Sequence, residues 1–369
     1  VNRPLLEGNE LSYVKECIES GWISSEGPFV NKFEKSFSGY HKMKYAVAVS
    51  SGTAAIDCAI TSLSLSPGDE IIIPTFTIIS CINQIVRLGL KPVFVDCDLL
   101  TFNMKSNDVL KKITKKTKAI FIVHVYGLPV DMADIIKIAK KNNIKIIEDC
   151  AEILGQKYKN KLCGTFGDVS IFSFYPNKHI TCGEGGMILT NSYKIFNKCR
   201  ELRNICFQKN PQKRFIHNSL GWNYRMTNVQ AAIGLAQLEN LDKAVERKRF
   251  IGIRYNNLLS DILNIQLPEV KTDYAENIFW VFTIVLKNIK KFNSISFAKK
   301  LRDQGVESRP LFFPLHKQPA LQKNDFNTDE KFPNSEYLYK YGLYIPSGIG
   351  TSDHEINEVA MKVRKIIHG

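Results

Sequence analysis

The sequence predicts an α/β protein: a large domain built on a mainly parallel sheet covered by helices on both faces, followed by a smaller α+β domain. Three observations predict this. Short β-branched runs alternate with stretches that are apolar at helical spacing through the first two thirds of the chain. Those runs are continuously apolar, as strands buried on both faces are. After about residue 240 the alternation gives way to long helical stretches with only a few strands between them, which divides the 369 residues into domains of 1–240 and 241–369.

In chain order, the apolar stretch Tyr45–Val49 runs into Ser50-Ser51-Gly52-Thr53, which opens an Ala/Ile-rich helix. Strands are expected at Glu70–Ile73, Pro92–Val95 and Ala119–Val123. Met132–Lys141 has helical apolar spacing and leads into a strand at Ile144–Ile147. Further strands follow at Val169–Phe174 and Gly186–Leu189. The C-terminal part reads as one long helix over Gln230–Leu259, strands near Ile278–Leu286, a helix at Ser296–Gln304 and a last helix at Asp353–Ile367.

Composition removes several function classes. At 44% hydrophobic and 23% charged residues the chain is an ordinary globular one. Its most apolar stretch, Glu70–Ile82, is interrupted by Pro74 and Ser80 and is far short of the roughly 20 apolar residues a membrane span needs. The N-terminus, Val1-Asn2-Arg3-Pro4-Leu5, has no apolar signal core, so a cytoplasmic location is expected. Nine cysteines without a Cys-x-x-Cys pair argue against both a disulfide framework and a metal site. The formal charge of +14 is spread through text such as Lys111-Lys112-Ile113-Thr114-Lys115-Lys116, with no basic helix interleaved with aromatics. A solvated lysine face, not a nucleic-acid partner, is the expectation; the surplus also suits a doubly phosphorylated small substrate.

Three segments supply what a flat, anionic cofactor with a basic ring nitrogen needs. Ser51, Gly52 and Thr53 offer hydroxyls and close-approaching backbone N–H groups at a helix start, where a phosphate is favoured; a Ser-Gly-Thr sequence is equally a common helix cap. Asp149 follows the strand ending at Ile147, and ligands of open α/β sheets gather beyond the carboxyl ends of the strands. It can pair with a ring nitrogen or cap the next segment. Lys178 lies between the aromatic-rich Phe172-Ser173-Phe174 and the turning Gly183-Glu184-Gly185-Gly186. A desolvated lysine there has a lowered pKa and can act as an amine nucleophile and proton shuttle, with Ser173 as a further phosphate hydroxyl.

Glu148-Asp149-Cys150-Ala151-Glu152, Gly164-Thr165-Phe166-Gly167-Asp168 and Asn177-Lys178-His179-Ile180-Thr181-Cys182-Gly183-Glu184-Gly185-Gly186 together closely resemble the DegT/DnrJ/EryC1/StrS sugar aminotransferases. The likeness runs from Gly21-Trp22-Ile23-Ser24-Ser25-Glu26-Gly27 through Asn223-Tyr224-Arg225-Met226-Thr227-Asn228 to Arg309-Pro310-Leu311-Phe312-Phe313-Pro314-Leu315-His316. Within the family it is nearest to members that aminate GDP-4-keto-6-deoxymannose; other members take dTDP- or UDP-linked 4-keto-6-deoxy sugars. The resemblance implies a fold-type I transferase with a seven-stranded sheet, pyridoxal 5′-phosphate as cofactor, glutamate as amino donor and a homodimer with shared active sites.

By the same resemblance Lys178 carries the cofactor covalently, Asp149 pairs with its ring nitrogen and Glu152 lies near its phenolic oxygen. Gly52, Thr53 and Ser173 match phosphate contacts, and Asn223 matches one that reaches across from the partner subunit. His217, Arg309 and His316 match segments that approach the sugar nucleotide. Two departures stand out. Ile78 occupies a position where relatives place an aromatic on the cofactor ring, so the π contact is replaced by an aliphatic cover. One branch replaces the lysine by histidine and dehydrates the sugar; counting back from Gly183 puts Lys178, not His179, in that position.

Overall fold

The computed structural model describes residues 2–208, 210–287, 291–323, 326 and 328–368. Its larger sheet has seven strands: β1 (Tyr45–Val49), β2 (Glu70–Pro74), β3 (Lys91–Val95), β4 (Thr117–Val123), β5 (Lys145–Asp149), β6 (Val169–Ser173) and β7 (Gly186–Thr190). Their order across the sheet is β1-β7-β6-β5-β4-β2-β3. Pairs from β6 to β3 are parallel, and β7 runs antiparallel to both its neighbours. Ile71, Ile73, Ala119 and Phe121 bury in one apolar cluster while Ile72, Ile120 and Ile122 bury in another, because alternate side chains leave opposite faces. That double burial is why these strands read as unbroken apolar runs.

The smaller sheet is antiparallel, in the order β8 (Ile265–Gln266), β9 (Phe282–Leu286), β11 (Gly342–Ile345) and β10 (Arg309–Pro310). It shares a third apolar cluster with the helices Leu241–Leu259, Ser294–Asp303 and Asp353–His368, through residues such as Tyr255, Phe297 and Val363.

The long helix expected over Gln230–Leu259 is two helices, Asn228–Glu239 and Leu241–Leu259. Asn240 separates them at φ −110° and ψ 13°. Its N–H turns back to the carbonyls of Gln237 and Leu238, closing the first helix, while its own carbonyl accepts from Ala244 N and starts the second. Asparagine favours such junctions because its short polar side chain competes for backbone groups. A capping box between Thr227 and Gln230 sets the first helix's start two residues before the expected one. The strand expected near Ile278 begins only at Phe282. Asn277 Oδ1 accepts from Phe279 N, and Phe279 takes a left-handed φ of 47°, so the chain turns sharply before it pairs.

Candidate active site

The carboxyl ends of β2, β4, β5 and β6 face one cavity of about 370 Å³. Its lining includes Ser51, Gly52, Thr53, Ile78, Asp149, Glu152, Ser173 and Lys178. Those eight residues, separated by up to 127 positions in the chain, therefore meet at one place. Asn223, His217 and Arg309 are exposed and do not line it. Asn223 accepts from Arg225 Nε at 2.8 Å, His217 Nδ1 lies 2.9 Å from the Ile205 carbonyl, and Arg309 pairs with Glu307 at 3.1 Å. His316 is buried away from the cavity, with Nδ1 2.7 Å from Thr75 Oγ1 and Nε2 3.2 Å from Glu336 Oε1.

At one end of the cavity the helix Gly52–Ser62 points its N-terminus inward, with Ser51 Oγ accepting from Ala54 N at 3.1 Å. That cap leaves the N–H groups of Gly52 and Thr53 and the exposed Thr53 hydroxyl toward the cavity, a setting that favours an anion. A Cβ at Gly52 would come within 2.8 Å of Ser173 Cβ and 3.0 Å of its hydroxyl. The loop and Ser173 are thus close enough to serve one anionic group together, and only glycine permits the approach.

Asp149 closes β5 and is buried, with Oδ1 accepting from Ala151 N at 2.9 Å and Oδ2 from the Cys81 thiol at 3.4 Å. Burial raises its pKa, opposed by the Ala151 N–H and the charge of Lys178. Glu152 is buried too, accepts from Tyr126 N at 2.9 Å, and is pushed up to about 8, first by burial. Lys178 is half-buried and its pKa is lowered by desolvation, against the pull of Glu152 and Asp149. The three groups line one cavity, and neither carboxylate has a cationic hydrogen-bond partner among the described residues. A cationic N–H entering the cavity would relieve Asp149, and an electrophilic carbonyl would meet a Lys178 amine whose pKa burial lowers. These donors and acceptors fit pyridoxal 5′-phosphate.

His179 lies outside this cavity. It is buried and lines a separate space of about 170 Å³ with Leu5 and Gln237, so of the two adjacent candidates only Lys178 faces Asp149 and Glu152. All nine cysteines are buried thiols. The buried His124, Glu148 and Cys150 bring metal-ligating atoms within 4.8 Å of one another. Those atoms are already engaged: His124 Nδ1 accepts from Val130 N, its Nε2 faces Glu148 at 3.1 Å, and Glu148 also accepts from the amides of Gly164, Phe166 and Gly167. The trio is a hydrogen-bond node of the core.

Cavity residues beyond the sequence expectation include Tyr175, Asn177, Trp280, Phe312 and Tyr344. Asn177 precedes the lysine and leaves its buried Oδ1 without a partner, a signal only coordinates contain. Trp280, Phe312 and Tyr344 come from the C-terminal third, more than a hundred residues from Lys178; Phe312 lies in the Arg309–His316 motif, whereas no local pattern marks Trp280 or Tyr344.

The model of the DegT/DnrJ/EryC1/StrS aminotransferase family matches residues 4–364. The GDP-perosamine synthase of Escherichia coli O157:H7 is 40% identical over 356 residues, covering 96% of this chain and 95% of that one. The GDP-perosamine synthase of Vibrio cholerae is 39% identical over 359 residues, covering 97% and 96%. A solved structure of a GDP-4-keto-6-deoxymannose-3-dehydratase mutant with bound GDP-perosamine matches with a TM-score of 0.90 at 26% identity, covering 98% of this chain and all of that one. The fold expected from the sequence, the type I transferase fold with its seven-stranded sheet, is the one the chain adopts.

Proposed function

The chain belongs to the DegT/DnrJ/EryC1/StrS aminotransferase family, and on that premise we propose that it transfers an amino group from glutamate to a nucleotide-linked 4-keto-6-deoxy sugar. The substrate favoured by the two synthase relatives is GDP-4-keto-6-deoxy-D-mannose, with GDP-perosamine as product and O-antigen lipopolysaccharide as its use. The observation that carries the reading is a Lys178 amine and an Asp149 carboxylate facing one cavity whose far end is a helix N-terminus.

Pyridoxal 5′-phosphate, when bound, supplies an electron sink for the carbanion at the amino-bearing carbon. Ser51, the amides of Gly52 and Thr53, and Ser173 would hold its phosphate; Asp149 would hold its ring nitrogen, and Lys178 its aldehyde carbon. Asp149 stays useful as an acceptor because Cys81 and Ala151 N fix its orientation. Lys178 Nζ, its pKa lowered by burial, would take a proton from the substrate carbon and return it. Glu152, its pKa raised to about 8 by burial, can donate to the cofactor's phenolic oxygen. Ile78, half-exposed, would cover one ring face and exclude water from it.

Asn223, exposed here, is read as a phosphate contact offered to a partner subunit in a homodimer, and His217, Arg309 and His316 as parts of segments near the nucleotide. The large domain is taken as 1–240 and the small one as 241–369. No helix among the described residues is long and apolar enough to cross a membrane, in keeping with a cytoplasmic enzyme.

The test is to offer GDP-, dTDP- and UDP-linked 4-keto-6-deoxy sugars with glutamate and compare kcat/KM, the quantity that measures specificity. The GDP sugar should win, and Lys178→Ala should cost at least about 10²–10⁴ in rate. A flat profile removes the GDP assignment. A deoxygenated sugar without an amine would instead establish dehydration, the chemistry named for the dehydratase relative.

A further inference from the structure

The Lys178 amine has no hydrogen bond among the described residues; the contact it makes is with the face of Trp280, whose ring centroid lies 3.9 Å from Nζ. The same indole donates its Nε1–H to the main-chain carbonyl of Asn177 at 2.8 Å, so one side chain touches both the lysine's head and the peptide unit that carries it. Trp280 is held firmly. It is 4% exposed and Tyr126 stacks on it at 5.8 Å and 23°, with Phe312 stacked in turn on Tyr126 at 5.1 Å and 22°. The Trp280 backbone packs against Gly127 so closely that a Cβ there would lie 2.9 Å from its nitrogen.

A half-buried ammonium facing Glu152 and Asp149 would by Coulomb attraction swing onto one of them, and an ion-paired amine is a poor base and nucleophile. An aromatic face offers a competing, weaker attraction through its quadrupole without taking up a proton site. We infer that Trp280 is a positioning residue for Lys178: its face holds the amine clear of the two carboxylates while its N–H fixes the turn at Asn177. The residue that positions the lysine therefore belongs to the segment leading into β9 of the smaller sheet, whereas the lysine follows β6 of the larger one. Movement of one part against the other would shift the amine directly.

The inference rests on the aminotransferase reading only for the use made of Lys178, so its test is independent of turnover. The pH midpoint of Lys178 acylation is measured on the full chain, free and loaded with pyridoxamine phosphate, by pulse labelling with acetic anhydride and mass spectrometry. Trp280→Leu removes the ring and leaves the amine free to pair with Glu152 or Asp149, which should raise the midpoint by about 0.5–1 pH unit. Trp280→Phe keeps a weaker ring and loses the N–H; it should raise the midpoint by less, and lower kcat several-fold at unchanged KM. An unchanged or lowered midpoint in Trp280→Leu overturns the proposal, and should that variant not fold, an unchanged midpoint in Trp280→Phe does so. Lack of amination of any keto sugar by wild-type protein, with these shifts intact, would count against the aminotransferase reading alone.

Discussion

Glu148 and Asp149 are neighbours on one strand, both buried, and they sit in regions built on opposite rules. Around Glu148 the core is saturated: His124 and the amides of Gly164, Phe166 and Gly167 all meet its two oxygens. Burial alone would raise its pKa, yet these contacts hold it below the usual carboxylate value. Around Asp149 the cavity supplies one amide and one thiol, and burial prevails, so its pKa is raised. The difference teaches where each carboxylate's partner is meant to come from. Glu148 finds all of its partners in the chain, as a structural group does. Asp149 keeps an acceptor free for a cation brought from outside.

The contrast can be broken from either side. Asp149→Asn removes the free charge and should lower kcat/KM by about 10²–10⁴ with no loss of thermal stability, because a poorly solvated ion is removed with it. An Asp149→Asn enzyme of wild-type turnover would show that the cavity's unmet acceptor has no role. Glu148→Gln should do the reverse. It leaves an amide facing backbone N–H donors it cannot all satisfy, costing about 1–3 kcal/mol in urea unfolding; the folded fraction should remain active. If its unfolding midpoint matched wild type, the saturated node would not be what anchors β5.

A smaller effect sharpens the comparison at Glu152. Its folded value of about 8 lies above the roughly 4.3 of an unfolded glutamate, so the fold binds an additional proton between those limits. The stability this group contributes is complete below about pH 4.3 and is lost as pH rises through about 8. Relative to Glu152→Gln, wild type should lose at most about 1.4 kcal/mol per pH unit across that window, read from melts at pH 6 and pH 9. Parallel curves for the two proteins would mean that Glu152 is already ionised in the fold.

Much of this site was legible before any coordinates. Gly52 and Lys178 stand out because a glycine at a helix start and a lysine before a glycine-rich turn are local statements, and the sheet brought both to the same cavity. His316 shows the limit: the sequence suggests a place near the substrate for its segment, yet packing turns its side chain toward Thr75 and Glu336 and it does not line the cavity. The break at Asn240 was missed because apolar spacing continues across it; only the hydrogen bonds reveal that one helix has ended.

By itself the sequence determined the alternation of buried strands and helices, and with it the edge of the sheet where chemistry must gather, since periodicity and chain connection force loops and strand ends together. The tertiary structure alone decided which distant side chains complete that edge. Trp280 lies over Lys178, and His124 under Glu148, through packing between segments whose sequences carry no mark of each other. Side-chain contacts across large separations depend on the mutual fit of whole layers, and that fit has no local signature to read.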